Sequence, residues 1–261
     1  MNCNGGKTTL VDTHCHLEML DDPAAALVEA RAAGVRQCVT IGTDLRSSRL
    51  AVEFAAREPG VYATVGVHPH DAEHLDGETL AALEELAAAP EVVAIGEVGL
   101  DFYRDLSPRA AQRTAFSSQI ALARRSGLPL VIHVREAGDE AMAQLATEAD
   151  GLTVIMHCFS LPEYVDECSA RGYYIGFAGN MTFKNAAPLR EAAARIRDDR
   201  LLVETDAPFL APVPNRGKSN LPAWVTHTAV RLAEVRGSTV AELAALTTAN
   251  ARRAFGLPRV D

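Results

Sequence analysis

Length, composition and charge set the first limits on what this protein can be. The chain has 261 residues, 48% of them hydrophobic, a length at which an α/β barrel usually forms one domain. Its net charge of −9 argues against an extended basic surface for duplex DNA, but not against a local basic pocket. No apolar run approaches the roughly 20 residues of a membrane span, and the first residues lack a signal-peptide core. We therefore expect a cytoplasmic protein without a membrane partner.

Eight short apolar runs alternate with longer segments of helical character. The runs are rich in β-branched or aromatic residues and lack strict polar alternation, which is typical of strands buried on both faces of a parallel sheet. In chain order they are residues 9–17, 37–43, 61–69, 92–101, 128–135, 152–159, 172–179 and 200–208. This order predicts an α/β fold, a (β/α)8 TIM barrel, in a single domain over residues 1–261. An open doubly wound sheet is the alternative.

Residues that favour helix ends separate these runs. Asp22, Ser107 and Thr239 each stand where an N-cap is expected, and Glu242 has capping-box spacing to Thr239. Gly127 follows the second of these segments, at a position where glycine commonly ends a helix. The pattern therefore predicts helices between the strands, as a barrel requires.

Metal-capable side chains concentrate at the ends of the predicted strands. They are His14, His16, His68, Glu97, His133, His157 and Asp206. Because the carboxyl ends of barrel strands meet at one face, these side chains should converge. Each alone could be a core histidine or a capping carboxylate, but together they would be costly to bury without a shared ligand. The sequence therefore predicts a metal centre.

The ligand types indicate which ions this centre could hold. Nitrogen and oxygen ligands suit divalent ions such as Mg, Zn, Mn or Ni, and there are enough of them for two ions. Side chains two apart on a strand point the same way, so His14 and His16 can chelate one ion. The lysines stand at positions 7, 184 and 218, none at a strand end, so Glu97 rather than a modified lysine would have to bridge the ions.

Two other features do not predict sites of their own. The five cysteines contain no C-x-x-C pair, and strand alternation should turn Cys15 and Cys158 towards the helices. The segment GGKTT at residues 5–9 ends like a phosphate-binding loop, but it lacks the upstream glycine and precedes an apolar run instead of following one. We interpret the cysteines as reduced thiols and do not interpret GGKTT as a nucleotide site.

Seven motifs resemble those of the TatD-type metal-dependent deoxyribonucleases, a family of the amidohydrolase superfamily. In order along nearly the whole chain they read DTHCHL, VGVHPH, GEVGLDFYRDLSP, VIHVREA, MHCFS, ETDAPFLAP and NRGKSNLP. The resemblance implies a (β/α)8 barrel with a two-metal site that hydrolyses phosphodiester bonds in DNA, often from the 3′ end.

The resemblance also implies roles for single residues. His14, His16 and Asp206 are similar to the family's ligands of one metal, and His133 and His157 to those of the other. By the same resemblance Glu97 is the bridge, and His68 is the histidine that contacts the scissile phosphate.

Further roles follow from position. Asp206, at the edge of the centre, can act as the general base that takes a proton from the attacking water, so it joins Glu97 and His68 as a catalytic residue. Arg135, Arg216 and Lys218 lie after strand ends or in the last loop and are candidates for phosphate binding, with solvated surface charge as the alternative. The expected partner is DNA, as a single strand or a 3′ end; the sequence leaves the oligomeric state open, a monomer included.

The same site would tolerate other substrates. An amide, ester or lactone hydrolase, or a D-aminoacyl-tRNA deacylase, could use the same two-metal barrel. A scaffold that keeps metal only for stability is a third hypothesis, but a purely structural site needs no open coordination position.

Overall fold

Eight parallel strands form one sheet in chain order in the computed structural model, which describes residues 9–259. The strands are β1 (Leu10–Cys15), β2 (Val35–Thr40), β3 (Val61–Val65), β4 (Val92–Asp101), β5 (Leu130–Arg135), β6 (Val154–Met156), β7 (Tyr174–Phe177) and β8 (Leu201–Val203). A parallel bridge from Cys15 to Ala207 joins the first strand to the chain after the last one. The predicted (β/α)8 barrel is confirmed, and the open doubly wound sheet is wrong.

Nine helices surround these strands in the described part of the chain. They are α1 (Pro23–Ala32), α2 (Leu45–Arg57), α3 (Gly77–Ala87), α4 (Arg109–Ser126), α5 (Gly138–Glu148), α6 (Val165–Ala170), α7 (Ala187–Arg195), α8 (Val225–Arg236) and α9 (Val240–Phe255). None of the helices in residues 9–259 is long and apolar enough to cross a bilayer. The segment GGKTT lies outside the described residues except for its last threonine.

The predicted helix ends are confirmed with one exception. Asp22 caps α1, and Thr239 and Glu242 form the expected capping box at α9. Ser107 is not an N-cap, because α4 begins two residues later. Its hydroxyl instead donates to the carbonyl of His70 at 2.7 Å and accepts the N–H of Glu73 at 3.2 Å. Ser107 therefore anchors the loop after β3, which carries part of the site.

The amino ends of the strands are closed by the C-terminal helix. Val11, Val131 and Leu202 pack in one buried apolar cluster with Ala254 and Phe255 of α9. These strand residues precede the metal-capable side chains along β1, β5 and β8. Within residues 9–259 the apolar plug and the polar centre therefore occupy opposite ends of the barrel, and the centre lies at the carboxyl ends of the strands.

Candidate metal centre

The carboxyl ends of the strands open into a cavity of about 620 Å³, a volume ordinary for a small-molecule or cofactor site. Six of the seven predicted metal-capable residues line it, namely His16, His68, Glu97, His133, His157 and Asp206. His14 is fully buried and lies against two of them, Glu97 and His157. The structure therefore brings all seven predicted metal-capable side chains to one place.

Glu97 on β4 stands between two groups of histidines. Its Oε2 lies 3.4 Å from Nε2 of His14. Its Oε1 lies 2.8 Å from Nδ1 of His133 and 3.6 Å from Nε2 of His157. Nε2 of His68 is 3.8 Å from the same Oε1. The two carboxylate oxygens thus face different imidazoles, the arrangement that a bridging carboxylate needs.

Asp206 closes the other side of the centre. It follows β8 in a left-handed conformation, φ 58°, and its N–H donates to the carbonyl of His14 at 2.9 Å. Its Oδ1 lies 3.4 Å from Nε2 of His16, 3.8 Å from Nε2 of His14 and 3.9 Å from Nε2 of His157. These separations are too long for hydrogen bonds, but ligand atoms around one tetrahedral zinc ion lie about 3.4 Å apart.

Buried nitrogens without partners test whether a metal fits. Within residues 9–259, both ring nitrogens of His14 and Nδ1 of His16 are buried without a hydrogen-bond partner. A buried polar atom left unpaired is costly, so an array of such atoms beside carboxylates fits a missing cation. Groups such as His14, His16 and Glu97, or His68, Glu97 and His133, hold donor atoms close enough to share one ion. The residues present fit a metal ion.

The electrostatics of the centre also favour cations. Burial opposes ionisation of Glu97, but the imidazoles of His157 and His14 hold its pKa well below the usual value. Burial likewise opposes protonation of His16, yet the carboxylates of Asp206 and Glu18 raise its pKa to about 10. In the absence of metal, Asp206 and Glu18 therefore attract a proton to His16, which a bound cation would displace.

A carboxylate that the sequence analysis did not single out supports His157 from behind. Oε1 of Glu204 lies 2.8 Å from Nδ1 of His157 and accepts the N–H of Cys158 at 2.6 Å. A Cβ at Gly176 would lie only 2.3 Å from Oε2 of Glu204, so the glycine makes room for this carboxylate. A ring nitrogen held by a carboxylate directs the opposite nitrogen, Nε2, towards the centre. The available signal was the position of Glu204 in VETDAP, two residues before Asp206 in the predicted eighth run.

A second carboxylate that the sequence motifs did not indicate lies beside His133. Oδ2 of Asp101, at the end of β4, lies 3.1 Å from Nε2 of His133 and 2.9 Å from Nε2 of His70. Asp101 also accepts the backbone N–H groups of Tyr103 and Arg104. Asp101 therefore fixes one imidazole of the centre and ties it to the loop after β3. Its position four residues after Glu97 on one strand was the available signal.

We expect Glu204→Gln to weaken metal binding about 10- to 100-fold, the usual cost of losing a carboxylate behind a ligating histidine. The glutamine oxygen can still accept the Cys158 N–H, so the fold should be retained. Titration of the metal-free protein with Zn²⁺ or Mn²⁺ measures the effect, and the same substitution at the exposed Glu163 is the control. Equal affinity in the two variants would contradict the supporting role.

Cys158 departs from the prediction that it faces the helices. The strand β6 ends at Met156, and Cys158 adopts a left-handed conformation, φ 41°, so strand alternation no longer applies there. Its side chain lines the cavity, and Nδ2 of Asn180 donates to its sulfur at 3.7 Å. Burial raises the pKa of the thiol well above the usual value, which favours its protonated form. Cys15 is buried in the main core cluster, where its thiol donates to the carbonyl of Val39.

The three predicted phosphate contacts occupy different places. Arg135 lines the cavity, and its guanidinium carbon lies 3.8 Å from the ring centre of Tyr103. Arg216 packs at 4.2 Å over the ring of Phe183, and both Arg216 and Lys218 are exposed outside the cavity walls. The structure thus brings only Arg135 to the centre.

Comparisons with known proteins match nearly the whole chain to one family. The model of the family described as "TatD related DNase" matches residues 11–256. The chain is 42% identical to an uncharacterized metal-dependent hydrolase, YabD, of Bacillus subtilis, with 94% of this chain and 98% of that protein covered. It is 43% identical to the 3′-5′ ssDNA/RNA exonuclease TatD of Cronobacter turicensis, with coverages of 88% and 90%. The crystal structure of YJJV, a TatD homolog from Escherichia coli, superposes with a TM-score of 0.92 at 28% identity, with coverages of 97% and 100%. The chain belongs to the TatD family of metal-dependent hydrolases.

Proposed function

We propose that this protein is a two-metal phosphodiesterase that removes nucleotides from the 3′ end of single-stranded DNA. The observation that carries the proposal is the placement of Glu97, whose two oxygens face separate histidine groups in one open cavity. The relative from Cronobacter turicensis named as a 3′-5′ ssDNA/RNA exonuclease supports the choice of substrate.

The ligand sets follow the two sides of Glu97. His14, His16 and Asp206 would hold one ion near Oε2, and His133 and His157 the other near Oε1. The charge balance supports two ions of Mg, Zn, Mn or Ni, because five carboxylates lie in or directly behind the centre. They are Glu18, Glu97, Asp101, Glu204 and Asp206.

The chain's own groups complete the chemistry. When bound, two divalent ions would lower the pKa of the attacking water and stabilise the charge that develops on the oxygens of the phosphate. Asp206 would take the proton of the attacking water, which is the role of a general base. Arg135 would pair with a neighbouring phosphate of the strand.

His68 carries a ring proton on the side that faces the centre. Burial lowers its pKa well below the usual value, so the ring is neutral. Its Nδ1 accepts the backbone N–H of His70 at 3.1 Å, which leaves the ring proton on Nε2. That nitrogen points to the centre, 3.8 Å from Oε1 of Glu97. His68 would therefore donate a hydrogen bond to an oxygen of the scissile phosphate.

The test is a substrate screen with the metal-reconstituted protein. End-labelled single-stranded and duplex DNA, RNA, a D-aminoacyl-tRNA and simple esters are compared, each with and without a chelator. We expect stepwise shortening of single-stranded DNA from its 3′ end and loss of all activity on chelation. Deacylation of the tRNA, or ester hydrolysis, without cleavage of DNA would favour the alternative hydrolase function. Cleavage that persists in a metal-free sample would contradict the two-metal centre.

Arg135 should matter more for substrate binding than the last loop does. We expect Arg135→Ala to raise KM for single-stranded DNA about tenfold and to lower the salt slope by about 1, because one charge-assisted phosphate contact is lost. The double variant Arg216→Ala/Lys218→Ala should change KM by no more than about fivefold, as exposed charges do. Steady-state kinetics at several salt concentrations measure both. A larger loss in the double variant would place the phosphate contact in the last loop.

A further inference from the structure

Three large apolar side chains line the cavity beside its charged and polar groups. Met19, after β1, is 47% exposed, and Phe209, after β8, is 50% exposed. Both line the cavity, together with Leu210. Hydrolysis of a phosphodiester uses none of these three groups. Apolar surface left open beside a charged centre indicates that something apolar covers it when substrate is bound.

Hydrogen bonds hold the backbone of Phe209 in place. Nδ2 of the fully buried Asn220 donates to the carbonyl of Phe209 at 2.7 Å and to that of Thr205 at 2.9 Å. The Phe209 N–H donates to the carbonyl of Asp206 at 2.7 Å. Leu210 is in the left-handed region, φ 51°, a costly conformation for a leucine. A buried amide and a strained neighbour therefore fix the backbone that carries an exposed aromatic ring beside the centre.

The ring lies within reach of a nucleotide bound at the metal centre. The ring centres of Phe209 and His16 are 5.9 Å apart, in an edge-to-face arrangement. Arg135 stands on β5, which lies across the barrel from β1 and β8. The centre is thus flanked by an apolar, aromatic wall on one side and by a cation on the other. A nucleotide presents the same two properties, a flat base and a phosphate, joined through one sugar.

Building on the proposed nuclease function, we propose that Phe209 is the base-stacking residue of a terminal-nucleotide site. The base of the nucleotide at the 3′ end stacks on the Phe209 ring between Met19 and Leu210, and its phosphodiester lies at the metal centre. Arg135 binds the next phosphate from the opposite wall. A base still paired in a duplex has both faces and its edge engaged, so it must leave the helix to reach Phe209. Phe209 therefore selects unpaired ends.

The test compares two labelled single strands that differ only in the 3′-terminal residue, which carries a base in one and is abasic in the other. The cleaved phosphodiester is the same in both. Wild type should prefer the base-bearing strand about 5- to 150-fold in kcat/KM, the range expected for stacking one base on an aromatic side chain. Phe209→Ala and Phe209→Leu should lose this preference, and Phe209→Trp should keep it. Leu106→Ala, at an exposed residue outside the cavity lining, should behave as wild type.

The outcomes separate a failed stacking site from a failed nuclease assignment. Leucine keeps apolar bulk without a π face, so Phe209→Leu stays informative if the alanine variant folds poorly. If Phe209→Ala and Phe209→Leu slow cleavage of the two strands equally, or if they lose metal, Phe209 only packs against His16 and the stacking site is wrong. If wild type cleaves both strands at equal rates, the nuclease function stands without the stacking site. If it cleaves neither, while ester or tRNA hydrolysis persists, both proposals are wrong.

Discussion

Replacing Glu97 by glutamine should lower metal occupancy on both sides of the centre and reduce turnover by about 10³-fold or more. Its Oε2 faces His14 at 3.4 Å and its Oε1 faces His133 at 2.8 Å, so one substitution affects both ligand sets. Glutamine keeps the shape of the side chain but removes its negative charge. It also places an amide NH₂ group against one of the two ligand sets. Metal charge stabilisation is worth several kcal/mol, and each 1.36 kcal/mol is a factor of ten in rate.

Metal analysis and cleavage assays on the same Glu97→Gln sample measure this effect. Asp71→Asn is the matched control, because Asp71 also lines the cavity but belongs to none of the metal-capable groups found in residues 9–259. The control should retain the metal content of wild type. Two ions per chain in the Glu97 variant would show that Glu97 does not bridge. Equal loss of metal in both variants would mean that overall cavity charge, not ligation, holds the ions.

The barrel could be predicted because its strands are buried on both faces and its helices carry capping residues. The strand ends were predicted less well: the run 200–208 was expected as one strand, but β8 ends at Val203. Beyond it the chain turns inward, with Asp206 in a left-handed conformation held by the carbonyl of His14. An apolar run shows where a strand is buried but not where the backbone leaves the ladder, since that depends on contacts with the first strand.

The histidines of the centre could be predicted because they lie on strands or within three residues of a strand end, and these ends meet at one face of a barrel. Cys158 could not, because its direction depends on a local backbone conformation that the sequence does not reveal. The last loop shows the same limit. Its motif suggested phosphate binding by Arg216 and Lys218. The structure instead shows that Asn220, a buried residue of that loop, donates a hydrogen bond to the carbonyl of Phe209. The order of the motifs was enough to locate the loop. The packing was needed to show that the loop supports Phe209.

Asp206→Asn should slow turnover about 10²- to 10⁴-fold, the usual range for a lost acid or base group, while the fold and most of the bound metal are retained. Asparagine is the replacement of choice because it tolerates the left-handed backbone of this position, φ 58°, better than most residues. It keeps one oxygen towards Nε2 of His16 and His14 but can no longer accept a proton. Substrate affinity should change far less than turnover, because His68 and Arg135 are untouched.

The competing interpretation makes Asp206 a ligand and nothing more. In that case, activity should fall in proportion to metal occupancy and recover when excess metal refills the site. Single-turnover cleavage and metal content, measured on the same Asp206→Asn sample over a range of metal concentrations, separate the two. If Asp206 is the base, the rate stays low at full occupancy, because asparagine cannot accept the proton and the carboxylates that contact the other histidines of the centre are already engaged. Glu97 faces both histidine groups, and Glu204 and Asp101 are engaged by His157 and His133. A near-normal rate at full occupancy would exclude Asp206 as the proton acceptor.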